Sequence, residues 1–94
     1  RIGRDRFLRN VLYAVGNSAD ASLITPTKAL LDDPSPLVRG AAVWALSRLM
    51  PADAFVTLAE ATTETDPQVL SEWRRFETIQ PAQSPPTDAA ISTR

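Results

Sequence analysis

Apolar positions along the chain recur at three- and four-residue steps, and no stretch alternates in the manner of a strand. Phe7, Leu8, Val11, Leu12 and Val15 make one stripe and predict a first helix from about Asp5 to Val15, with its buried face on Phe7, Leu8, Val11 and Leu12. Gly16-Asn17-Ser18 supplies a stop, because Gly and Asn tolerate the left-handed conformation. Asp20 or Ser22 can cap a second helix that ends near Leu31. Thr25-Pro26 interrupts it: either Pro26 kinks the helix, or the helix starts there with Thr25 as its cap. The turn Asp32–Pro36 leads into a third helix with Ser35 as N-cap and Pro36 in the first position. That helix carries Val38, Ala42, Ala45, Leu46 and Leu49 inward and ends at Pro51. Asp53 can cap a fourth helix through about Ala61, with Phe55, Val56, Leu58 and Ala59. Asp66-Pro67 starts a fifth, with Val69, Leu70, Trp73, Phe76 and Ile79.

The pattern repeats. Ser35-Pro36 and Asp66-Pro67 lie 31 residues apart, and Val11–Asn17 echoes Ala42–Arg48 at the same interval. A short helix, a tight turn and a longer helix at this period predict an all-α solenoid of about two and a half units. The first helix reads as the second half of a pair whose first member lies upstream of Arg1. Residues 1–80 are expected to form this module. Pro81–Arg94, with three prolines and little to bury, are expected to be a disordered tail.

Composition removes most chemistry. The 94 residues contain no Cys and no His, so thiolate nucleophiles, iron–sulfur ligands, nearly every zinc site and the commonest acid–base side chain are absent. The chain suits a reducing, cytoplasmic compartment. No apolar run reaches the ~18 residues of a membrane span. Asp32-Asp33 sit in a turn, where Asp33 is expected to cap or to pair with Arg39 rather than to act on a substrate. No catalytic residue emerges. Gly40, inside a helix, suggests close approach of a neighbouring helix.

The net charge is only −1, but it is unevenly placed. Arg1, Arg4, Arg6 and Arg9 face only Asp5 across residues 1–19, whereas 53–72 hold Asp53, Glu60, Glu64, Asp66 and Glu72 with no Lys or Arg. On a helix, Arg6, Asn10 and Tyr13 share a stripe with Arg9 beside it and Asn17 one turn on. Guanidiniums grouped with an amide suit phosphates, because Arg donates in a planar fork. A merely solubilising face is the competing reading. Trp73 reads as core. Tyr13 and Trp44, at equivalent helix edges, could be core or could stack on bases. Arg48, Arg74 and Arg75 could extend the basic surface.

Two resemblances sharpen these readings. Leu23, Pro26, Leu30, Leu31, Asp33, Val38, Arg39, Ala42, Ala45 and Leu46 resemble a HEAT repeat, closely over Asp20–Met50 and loosely over Asp53–Ile79. HEAT repeats stack antiparallel helix pairs that bind other molecules. Arg6-Phe7-Leu8-Arg9-Asn10, followed by Gly16-Asn17 and HEAT-like helices, is similar to the C-terminal region of bacterial epoxyqueuosine reductases. That family reduces epoxyqueuosine to queuosine at the wobble position of tRNA, using cobalamin and two [4Fe–4S] clusters held by a cysteine-rich N-terminal portion. The resemblance implies that this chain holds no cofactor itself. Its expected partners are the tRNA anticodon arm, contacted through Arg4, Arg6, Arg9 and Asn10, and that catalytic portion. A HEAT scaffold for protein partners, without an RNA role, is the alternative.

Overall fold

The computed structural model describes the backbone of residues 2–83 and the side chains of residues 3–75. Among the described residues five α-helices follow one another and no strand occurs: α1 (Ile2–Asn17), α2 (Ile24–Ala29), α3 (Pro36–Leu49), α4 (Ala52–Ala61) and α5 (Pro67–Gln83). Single 3₁₀ turns at Ala21–Leu23 and Leu30–Asp32 lengthen α2 at both ends. The architecture is the expected all-α solenoid. Helix α3 lies at its centre, packed against each of the other four helices.

The helix starts follow local chemistry, with some changes of cap. Pro26 falls in the first turn of α2, where its missing N–H would have had no partner, so it neither kinks the helix nor needs Thr25 as a cap. Ser35 holds the extended cap position before Pro36, but its hydroxyl makes no capping bond. Asp33 does the local work instead, its Oδ2 accepting from the Ser35 N–H at 2.9 Å. Pro51 closes α3 and caps α4 with its ring-fixed backbone, so Asp53 sits one residue inside the first turn. Asp66 caps α5 as expected, its Oδ1 accepting from Gln68 and Val69 N–H at 2.8 and 3.2 Å. Helix α5 runs on through Gln83, so the segment 81–94 is helical for its first three residues and otherwise lies outside the described residues.

Two buried clusters share α3. Leu12 joins Val38, Ala41, Ala42 and Ala45 in the first, with Leu8, Val15 and Leu30 packed around them. Val43, Leu46, Phe55, Val69 and Trp73 form the second, and the Phe55 and Trp73 rings lie 5.0 Å apart. Leu31 packs against both. Helix α3 is therefore buried on two sides, which fits its Ala- and Val-rich sequence.

The α1 stripe is only partly used. Leu12 is buried and Leu8 and Val15 are half-buried, but Phe7 is 66% and Val11 39% exposed. The expected inward set thus spans two faces. One meets α3; the other, with Phe7 and Val11, faces outward because the described chain has no helix on that side of α1.

Gly16 has a different reason for its place than the one its position suggests. No glycine has positive φ; the left-handed residue after α1 is Ala19, at φ 58°. Gly16 is helical and lies under Trp44: a Cβ there would come within 3.0 Å of Trp44 Cε3 and 3.1 Å of Ala45 Cα, and closer still to Cζ3. The close helix approach anticipated at Gly40 is therefore at Gly16. A Cβ on Gly40 would meet only Glu72 Cγ at 3.7 Å.

Candidate functional site

Helices α1, α3 and α5 are the longer members of their units, and their sequences align at the 31-residue interval. Tyr13, Trp44 and Arg75 occupy one equivalent position, and Asn17 and Arg48 another. The fold puts all of these except Arg48 along a cleft of about 480 Å³. Arg9, Tyr13 and Asn17 line it from α1, Leu37, Gly40 and Trp44 from α3, and Gln68, Glu72 and Arg75 from α5.

A pair of rings flanked by two cations marks this surface. The Arg9 guanidinium lies 5.6 Å from the centre of the Tyr13 ring. Tyr13 meets Trp44 edge to face, with centroids 5.2 Å apart and planes at 82°. The Arg48 guanidinium lies 5.7 Å from the centre of the Trp44 ring. Each cation faces the negative π-surface of a ring, and the edge-to-face pair sets a positive edge against a negative face. Arg9 Nε is buried without a hydrogen-bond partner among the described residues. At the α5 end, Arg75 pairs with Glu72 at 3.3 Å.

The four sequence-predicted residues are divided. Arg9 is in the cleft and Arg6 and Asn10 are exposed on the same helix. Arg4 is engaged elsewhere. Its Nη2 donates to Asp33 Oδ1 at 2.6 Å and its Nη1 to Asp5 at 2.9 Å. The bond to Asp33, then the charges of Asp33 and Asp5, hold the Arg4 pKa above its ordinary value despite some desolvation. Of the two roles expected for Asp33, the cap is made through the Ser35 N–H, while its arginine partner is Arg4 from α1 and not Arg39. Arg39 instead takes Glu64 in a two-bond fork of 3.0 and 3.1 Å, and gives Nη1 to the Asp33 carbonyl at 2.8 Å. Each of the first two long helices thus sends an arginine to the acid in the next unit's turn, Arg4 to Asp33 and Arg39 to Glu64. Asp33 and Glu64 are themselves 31 residues apart.

Sequence reasoning found the α1 half of the cleft and missed Gln68 and Glu72. Carrying the 31-residue interval from Asn10 would have reached Ala41 and then Glu72. Among the described residues no group of three acidic side chains could hold a metal ion, and no helix is long and apolar enough to cross a membrane.

Residues 4–75, from the first turn of α1 into the middle of α5, match the HEAT repeats family. The chain belongs to the HEAT-repeat family. As a HEAT-repeat module it offers what this family builds from stacked pairs, a continuous surface of long helices with side chains at fixed intervals. No curated protein and no solved structure matches the chain.

Proposed function

We propose that this HEAT module holds tRNA near its anticodon arm as the C-terminal part of an epoxyqueuosine reductase. The observation that carries the reading is the Arg9–Tyr13–Trp44–Arg48 row, flanked by exposed Arg6 and Asn10. Guanidinium groups beside aromatic rings are what an RNA strand uses, phosphates on the cations and bases on the rings. Arg6, Arg9 and Asn10 take phosphates and so position the RNA without reading its sequence. Arg4, bound to Asp33, shapes the end of this surface more than it donates from it. The wobble-base chemistry, the cobalamin and the two [4Fe–4S] clusters belong to a separate catalytic portion, since this chain has no cysteine to ligate a cluster.

The competing reading, a scaffold for proteins, draws on the acidic segment. Glu64 and Glu72 in that segment are joined to Arg39 and Arg75, and Asp66 caps α5. Asp53 and Glu60 stay exposed, a modest charge for a basic partner.

Fluorescence anisotropy of a labelled tRNA anticodon-arm hairpin, titrated with the chain across salt concentrations, separates the two. The chain binds, and Arg6→Ala with Arg9→Ala lowers the slope of log K against log salt by about 1 to 2. A slope untouched by the double substitution, or no binding at low salt, sinks the RNA reading. A partner that survives ribonuclease in a pull-down would then favour the scaffold.

A further inference from the structure

One side chain in the cleft does not suit phosphate. The 31-residue interval gives Arg6, Leu37 and Gln68 at one position of the long helices, and Asn10, Ala41 and Glu72 at another. The α1 end of the surface thus offers cations and amides, whereas the α5 end sets an acid, Glu72, between Gln68 and Arg75. Glu72 lies over Gly40, where a Cβ would stand 3.7 Å from its Cγ. Its negative charge repels phosphate, so a strand that crosses this end must set something else against it.

The acid is held loosely. Arg75 Nη1 donates to Oε1 and Oε2 of Glu72 at 3.3 and 3.4 Å, long for a charge-assisted pair. The Glu72 side chain is 30% and the Arg75 side chain 63% exposed, so a ligand reaches both without opening the core. Apolar surface for a ring lies in the same cleft: exposed Tyr13 and Leu37, and half-buried Trp44. A carboxylate only accepts hydrogen bonds, and a guanidinium only donates. Uracil shows one N–H between two carbonyls, and the carboxylate is repelled by their lone pairs. Cytosine and adenine each show one amino group beside a ring-nitrogen lone pair. Guanine sets two neighbouring donors, N1–H and the N2 amino group, beside an acceptor, O6. Two parallel donors match a carboxylate, and a cation next to it matches O6.

We propose that the α5 end of the cleft is a guanine site. Glu72 accepts from N1–H and the N2 amino group of an unpaired guanine in the bound strand, and Arg75 donates to its O6. The site belongs to the surface proposed above for RNA and rests on that reading. The cations of α1 position the strand, and Glu72 selects a base within it.

The test is fluorescence anisotropy of the whole chain with labelled RNA oligomers UUNUU, where N is guanine, hypoxanthine, adenine, cytosine or uracil, beside the tRNA hairpin. UUGUU should bind about tenfold tighter than the adenine, cytosine and uracil oligomers. Hypoxanthine lacks the N2 amino group and should fall between, a comparison that needs no variant. Glu72→Gln should abolish the preference, bringing the guanine and uracil oligomers to similar affinities. Equal binding of all five oligomers overturns the guanine site and leaves the RNA reading standing. So does hypoxanthine as tight as guanine, a preference that survives Glu72→Gln, or a hairpin that binds when no oligomer does. Guanosine monophosphate that binds as tightly as UUGUU overturns the assignment to a strand and makes the site one for a free nucleotide. If neither hairpin nor oligomer binds, both readings fall together.

Discussion

A methyl group at position 16 and one at position 40 should act in opposite directions, although both glycines are helical. At Gly16 the methyl meets the Trp44 ring and the α3 backbone, and the backbone cannot give way. Gly16→Ala should cost about 1–3 kcal/mol and lower the melting temperature by several degrees. At Gly40 the methyl makes an ordinary contact with Glu72. Gly40→Ala should gain up to about 1 kcal/mol from helix propensity. Thermal melts of the two variants check the pair. Ala19, held at φ 58°, is the complementary case. Ala19→Gly removes a Cβ clash and should stabilise by roughly 0.5–1 kcal/mol, read in the same melts. The sequence placed the end of α1 correctly, yet it offered the wrong reason for Gly16. A glycine before Asn at a helix end has a sufficient local explanation. The decisive contact comes from a tryptophan on another helix.

At the level of elements, order and type were legible because proline, aspartate and the 31-residue interval mark the starts after α1. Pro36 and Pro67 take first-turn positions for a reason internal to the peptide unit. The arginine partners were not legible. Asp33 stands six residues from Arg39, the spacing of a local pair, but Arg39 binds Glu64 and α1 supplies Arg4. That pairing has a pH signature. Burial works to raise the Glu64 pKa, but the bonds from Arg39 and from the Asp66 and Thr65 N–H groups outweigh it and hold the carboxyl below its ordinary 4.5. A lowered folded-state value means the ionised form favours the folded chain. This stability is complete above pH 4.5 and is lost as pH falls through the lowered value. Glu64→Gln should therefore cost about 1–3 kcal/mol at neutral pH. It should also flatten the loss of stability below about pH 4.5 in denaturant titrations. An acid limb as steep as the parent's would remove Glu64 from it.

At the level of the molecule, the candidate surface was half visible. Arg9, Tyr13 and Asn17 announced themselves by spacing on one helix. Gln68 and Glu72 belong to the same surface only because α5 lies beside α3, which no local pattern states. The stripe Phe7–Val15 was read as one buried face, yet the described helices cover only its Leu8–Leu12–Val15 side. Periodicity reports apolar positions and is silent on how many partners cover them. The place of Leu31 has a consequence of another kind. It packs against both clusters, and α3 feeds side chains into each, so neither half can come apart without opening the other. The chain should then unfold as one cooperative unit in spite of its modular sequence. Amide hydrogen exchange would show it, with the slowest protons of α1, α3 and α5 all leaving at the same global rate.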